Sequence, residues 1–241
     1  MNPILLADAS NLDFMIHGLW KYQLFGQDVW ITTTHACMLV VLLLLLTFCI
    51  FANRALKKAD PDKAPTAFQN VAELIVEMLD NMITGVMGKS APKFLNYIST
   101  IFIFILISNI SGVFGLRAPT ADYGVTFPLG IITFCLIFFN KIKYQKVSGF
   151  IKGLCQPWPF WAPINIISDI AVPVSLSLRL FANVLSGTVM LALFYGLLPI
   201  FVKIGIPSVL HLYFDLFSGA IQTYVFCMLT MTYITDAIGE G

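Results

Sequence analysis

Ile31-Thr-Thr-Thr-His-Ala-Cys-Met-Leu-Val-Val-Leu-Leu-Leu-Leu-Leu-Thr-Phe-Cys-Ile-Phe-Ala-Asn53 contains no Asp, Glu, Lys or Arg, and residues 39–46 are all Leu or Val. A helix needs about 20 apolar residues to cross the hydrocarbon core of a bilayer. Residues 31–53 therefore read as one membrane span. The composition of the whole chain agrees. Of its 241 residues, 58% are apolar and 11% charged, against about 25% charged in a soluble domain. So few charges cannot cover that much apolar surface in water, which excludes a soluble enzyme. A net charge of +1 excludes a nucleic-acid binder. The 21 Phe exclude disorder. The expected fold is an all-α polytopic membrane protein.

Working outward, residues 94–116 and 125–140 read as the second and third spans, with a turn at Pro119–Tyr123 between them. Two longer segments follow, at 164–198 and 207–237. Each exceeds the length of a straight crossing, so they are expected to form a strongly tilted hairpin. In residues 67–86 the apolar side chains Val71, Leu74, Ile75, Met78, Leu79, Met82 and Ile83 recur at helical spacing, with Glu73, Glu77 and Asp80 on another face. That pattern predicts an amphipathic helix on the membrane surface. Residues 1–30 lack the basic start of a signal peptide and are expected to be a tail outside the membrane, with an interfacial helix around Trp20. Residues 31–241 form a single membrane domain. The basic stretches Arg54–Lys63 and Lys141–Lys152 put the cytoplasm on their side, so the N-terminus is expected outside and the C-terminus inside. The five cysteines follow no metal-ligand spacing and read as small buried hydrophobes, with no metal or cofactor implied.

The most informative residues are charged groups inside the last two segments. Arg179 falls near the middle of 164–198. An arginine at a helix centre costs about 2.5–3.5 kcal/mol on insertion scales, and it cannot lose its proton to escape that cost. Asn183 lies one helical turn further on the same face. Asp169 lies ten residues earlier, about 15 Å along the axis. In the final segment, His211, Asp215, Ser218 and Gln222 share one face at α-helical spacing, and Asp236 lies near that face at the far end. Asp215 and His211 could carry a cation from outside to mid-membrane, and Asp169 from there inward. Arg179 stands between the two groups and repels any direct hop. Such a broken path needs a mobile carrier, most simply a carboxylate on another subunit.

Pro173-Val-Ser-Leu-Ser-Leu-Arg179-Leu-Phe-Ala-Asn183 closely resembles the signature of subunit a of the F-type rotary ATP synthase. Three further stretches resemble that family in the same order: Pro65-Thr-Ala-Phe-Gln69-Asn70-Val-Ala-Glu73, Ser108-Asn109 with Pro119-Thr120-Ala121-Asp122, and Gln222-Thr-Tyr-Val-Phe-Cys-Met-Leu-Thr230-Met-Thr-Tyr233. The resemblance implies a static, non-catalytic ion-channel subunit. It would provide two offset half-channels that pass H⁺ or Na⁺ to and from carboxylates of a rotating c-ring. The implied partners are the c-ring, the peripheral-stalk subunit b and the lipid bilayer. The family's essential arginine corresponds to Arg179, whose fixed charge favours the ionised form of a passing carboxylate. Gln222 corresponds to a glutamine facing that arginine. Asp169 corresponds to an acidic position before the motif proline. Asn109 falls in a family motif and is assigned with them to the ion pathway.

Departures from the pattern also matter. Ala182 replaces the usual Gly, and Val172 a common Lys. Thr188 falls where many members carry Glu or His, whereas Asp215 is acidic where many carry His. The outer carboxylate has thus moved to the other helix, and Asp215 is expected to act as the relay. A stand-alone secondary transporter would also bind its ion mid-membrane, but the chain has no internal repeat. A purely structural subunit with a tolerated Arg–Asp pair is the third reading. The location implied is a bacterial inner membrane.

Overall fold

A computed structural model describes residues 18–24, 27–57, 66–114, 116–154, 158–197 and 206–239. The tail before Gly18, most of the basic loop (58–65) and the expected hairpin turn (198–205) lie outside the described residues. Helices dominate: α1 is Thr33–Lys57, α2 Ala67–Met87, α3 Ala91–Ile110, α4 Tyr123–Leu154 and α5 Ala162–Leu197. The last helix, α6, covers 206–238 in three joined pieces. An α-helical start (Ile206–His211) runs into a π-helical segment (Leu212–Ser218) and then into a long α-helix (Gly219–Ile238). Among the described residues, five stretches are long and apolar enough to cross a membrane. The membrane domain is all-α and multi-pass, as its composition requires.

The interfacial helix expected around Trp20 is instead an antiparallel β-hairpin. Strand β1 (Gly18–Leu24) pairs with β2 (Gln27–Thr32), with Lys21 opposite Trp30 and Tyr22 opposite Val29. The aromatic and β-branched residues of both strands favour extended backbone, and this local preference prevails over a weak amphipathic pattern.

The third span also differs from expectation. Hydropathy ends it at residue 140, yet α4 continues through Lys141, Lys143 and Lys146 to Leu154. Hydropathy reports where lipid contact ends, whereas the helix ends where its backbone bonding ends, and lysine is a good helix former. The other boundaries agree within a few residues, and the second span closes as a 3₁₀ turn, Ser111–Phe114.

Helix α2 starts at Thr66, whose side chain accepts a bond from the Gln69 backbone N–H, and Gln69 Nε2 donates to Glu73 at 2.8 Å. It stops at Gly88, whose φ of 51° is a conformation that costs glycine nothing. Its Leu79, Ile83 and Met87 enter the core with Phe94, Ile98 and Ile105 of α3, Leu176 and Leu180 of α5, and Phe226, Met231 and Ile234 of α6. Glu73, Glu77 and Asp80 face outward, and so do the apolar Val71, Leu74 and Met78. The helix thus has a bundle face, a polar face and a lipid-type flank.

Helix α1 buries only Thr34 and Val41. All of its leucines but the partly buried Leu45 are exposed, as lipid contact requires and water would penalise. Among the described cysteines the expectation holds only for Cys227, since Cys37 is partly buried and Cys49 and Cys135 are exposed on helix surfaces; Cys155 lies outside the described residues.

The most extensive interhelical contact joins α4 and α5. It depends on Gly130, where an added Cβ would lie 2.7 Å from the Pro173 carbonyl oxygen and 3.1 Å from Ser177 Cβ. Gly130, Phe134, Ile137 and Lys141 fall at spacings of four, three and four, so they share one face of α4, which meets α5 at Gly130 and again at Lys141.

Candidate functional site

The polar residues of α5 and α6 fall into three groups along the bundle. At the start of α6, His211 Nδ1 lies 2.8 Å from Asp215 Oδ2. The pair is partly buried, with side chains 34% and 16% exposed. The carboxylate rests on the 3₁₀ turn after α3, and a Cβ on Gly112 would come within 3.1 Å of Asp215 Cγ. Asp215 belongs to the π-helical segment. Such insertions are rare and recur at functional sites. One turn on, Ser218 Oγ donates to Asn183 Oδ1 at 2.9 Å, and Asn183 Nδ2 reaches the Ser218 carbonyl at 3.5 Å. These bonds tie α6 to α5 beside Arg179. Gly187 leaves room for Phe214, which lies 3.3 Å from where its Cβ would be.

Arg179 occupies the middle group. Its side chain is exposed on the outer face of α5, with no hydrogen bond or ion pair among the described residues. The same face presents Ser175, Ala182 and Ser186, all exposed and small enough for another helix to approach closely. Gln222 is buried, and its Nε2 has no hydrogen-bond partner among the described residues. Thr188 Oγ1 donates to its own helix, to the Val184 carbonyl at 2.9 Å.

The third group lines a cavity of about 350 Å³ between α4, α5 and α6. Asp169 and Asp236 both line it, with Ser168, Tyr233 and Lys141. Lys141 Nζ donates to Asp169 Oδ2 at 2.9 Å, with the two side chains 25% and 37% exposed. Asp236 has no ion-pair partner among the described residues. Pro173 lies inside α5, so its missing N–H releases the Asp169 carbonyl four residues back, on the side of the helix that carries this cavity.

Asn109 is at the opposite extreme from Arg179. It is 3% exposed, accepts from Thr120 Oγ1 at 2.7 Å, and donates to the Gly219 carbonyl at 3.0 Å and Thr223 Oγ1 at 3.1 Å. Gly219 lets it approach, since a Cβ there would sit 2.9 Å from Asn109 Cβ. One side chain thus ties α3 to the turn at Pro119–Ala121 and to α6, with both amide hydrogens donated and one acceptor site of Oδ1 filled.

The structure brings His211 to Asp215, Asn183 to Ser218, and Asp169 to the cavity of Asp236. No hydrogen bond joins Arg179 to Asn183, Asp169 or Gln222 among the described residues. Sequence reasoning does not reach Lys141 as a partner of Asp169, because hydropathy ends the span at residue 140 and leaves Lys141 in a basic loop. It also misses Thr120 and Thr223 as partners of Asn109. The helix propensity of the lysines after residue 140 is the sequence signal that places Lys141 on α4, but not the one that gives its partner.

The profile of the family described as ATP synthase A chain matches residues 35–235. The chain is 39% identical over 193 residues to "ATP synthase subunit a, sodium ion specific" from Propionigenium modestum, covering 73% of this chain and 65% of that relative. It is 34% identical over 227 residues to "ATP synthase subunit a" from Mycoplasma genitalium, covering 84% and 78%. A third relative, "ATP synthase subunit a" from Moorella thermoacetica, is 31% identical over 200 residues, covering 83% of this chain and 87% of its own.

Proposed function

From the premise that this chain belongs to the ATP synthase A chain family, we infer that it is the static ion-channel subunit of a rotary ATP synthase. It passes cations between two offset half-channels and the carboxylates of a rotating ring. The observation that carries this reading is the exposed Arg179, without a partner among the described residues, in the middle of a helix that crosses the bilayer. A permanent charge facing hydrocarbon is costly. A ring of carboxylates passing that face removes the cost, and the small residues around Arg179 leave space for it. A transporter working alone would leave the arginine in lipid.

The mechanism follows from the placement of charge. The His211–Asp215 pair receives the ion at the outer end and hands it to a ring carboxylate. Neutralised, that carboxylate turns into lipid and travels around the ring. On the inner side it meets the cavity of Asp169 and Asp236, whose polar lining admits water and accepts the released ion. The ionised carboxylate then passes Arg179, which favours its charged form and blocks an ion from crossing directly between the two inlets. Each charge moved down 100 mV supplies about 2.3 kcal/mol. Asn109 and the Asn183–Ser218 bonds brace the helices that hold these groups. Gln222 and Thr188 lie on the same helices and complete the assigned set.

The partners in this reading are the c-ring and the peripheral-stalk subunit b, in a bacterial inner membrane with the N-terminus outside and the C-terminus cytoplasmic. The chain works within the complex and catalyses no reaction alone. The test is ATP-driven cation uptake by vesicles bearing the reconstituted complex, read with a pH dye and with radioactive sodium. Arg179→Ala should abolish uptake of whichever ion the wild type moves, while the complex still copurifies with its ring. Retained ATP-linked uptake in that variant would overturn the reading.

A further inference from the structure

A second cavity, of about 370 Å³, opens between α1, α3 and α4 and shares no residue with the groups described above. Met38, Phe104, Leu129 and Ile132 line its apolar body. Its polar residues gather at one end, where α1 and α4 both begin. There Asp122 Oδ1 accepts the Gly124 backbone N–H at 2.9 Å, and Oδ2 has no partner among the described residues. His35 Nδ1 lies 2.7 Å from Thr32 Oγ1, leaving its Nε2 unused among the described residues. Thr34 is 2% exposed, and its Oγ1 has no hydrogen-bond partner among the described residues.

A carboxylate at the mouth and an apolar interior are the two halves of a site for a cationic amphiphile. Small-molecule sites are typically apolar cavities of about 300–1,000 Å³ with a few placed polar groups. At about 30 Å³ per water-sized group, this one holds about a dozen methylenes. From Asp122 to Ile132 is about 15 Å along α4, so the cavity runs from the end of the spans into the hydrocarbon zone. We propose that it binds an aliphatic primary amine. The ammonium donates to Asp122 Oδ2 and His35 Nε2, the Thr34 hydroxyl bonds to the same head, and the tail lies between Phe104 and Ile132. The head could belong to a free lipophilic amine or to an ethanolamine lipid of the bilayer, since both carry this group.

The test uses the intact complex in phosphatidylcholine nanodiscs, with a photoreactive dodecylamine and the matching dodecanol as probes. The amine should label peptides of α1 and α4 about fivefold more than the alcohol, as expected of a partly exposed ion pair worth about 1 kcal/mol. Asp122→Asn keeps Oδ1 to accept from Gly124 but removes the charge and turns the Oδ2 acceptor into an N–H donor, so amine labelling should fall to the alcohol level. Ile132 is half exposed, so Ile132→Trp fills the cavity without disturbing the core and should abolish labelling by both probes. ATP-driven uptake unchanged in both variants confirms that they fold. Competition by added phosphatidylethanolamine assigns the natural head to the bilayer, and its failure assigns it to a free amine. Equal labelling by amine and alcohol, or undiminished labelling in Ile132→Trp, overturns the proposal.

Discussion

Replacing a glycine by alanine inside a helix normally stabilises it by about 0.5–1 kcal/mol, through propensity and a less flexible unfolded chain. Two helical glycines in this chain should answer that substitution with opposite signs. Gly85, in α2, has nothing within 4 Å of where its Cβ would sit, so Gly85→Ala should give the ordinary gain. At Gly130 the new methyl would lie 2.7 Å from the Pro173 carbonyl oxygen. Favourable carbon–oxygen contacts begin near about 3.3 Å, so α4 and α5 must part by about 0.6 Å. The obstacle is backbone, which cannot rotate aside. Overpacking of this kind costs about 1–3 kcal/mol. After the helix gain is subtracted, Gly130→Ala should destabilise by about 1–2 kcal/mol, and the two variants should differ by about 2–3 kcal/mol. The assay is the midpoint temperature for thermal dissociation of the purified complex, measured for both variants beside wild type. At about 2–4 °C per kcal/mol for a chain of this size, Gly130→Ala should lower the midpoint by several degrees and Gly85→Ala raise it by a few. If Gly130→Ala leaves the midpoint unchanged or raises it, the close crossing of α4 and α5 is wrong, and with it the seam that positions Asp169.

Asp215→Ala should remove most ATP-driven ion uptake, whereas Asp215→Glu should keep part of it. Full uptake by the alanine variant, measured in the same vesicles, would end the relay role. Asn109→Leu leaves the Thr120 hydroxyl without its acceptor and the Gly219 carbonyl and Thr223 hydroxyl without their donor. At about 0.6–1 kcal/mol per buried bond, the complex should lose about 2 kcal/mol, seen as an earlier dissociation midpoint. Lys141→Met breaks the ion pair with Asp169 and should slow uptake more than it lowers the midpoint, because both partners are partly exposed and such pairs contribute little to stability. An unchanged uptake rate with a large loss of stability would make Lys141 a purely structural residue.

The membrane domain was legible because hydrocarbon thickness and helical rise set the length of a span without reference to any other part of the chain. The run 39–46 and the two long final segments needed nothing further. Arg179 was legible for a related reason: a group that cannot be neutralised stands out wherever the surrounding sequence demands lipid, and the motif around it carried the family. What each polar group touches was not legible. Spacing put His211, Asp215, Ser218 and Gln222 on one α-helical face, but the backbone there is π-helical, and Gln222 is buried while His211 is only partly so. Asn109 read as part of an ion path from its motif alone, and its bonds to Gly219 and Thr223 were out of reach because those residues lie 110 and 114 positions away and meet it only in the packed bundle. Lys141 found Asp169 only because α4 outlasts its apolar stretch. Hydropathy measures how each segment partitions into lipid, one residue at a time. Hydrogen bonds and close approaches between helices depend on which faces meet, and that is decided only when the whole bundle packs.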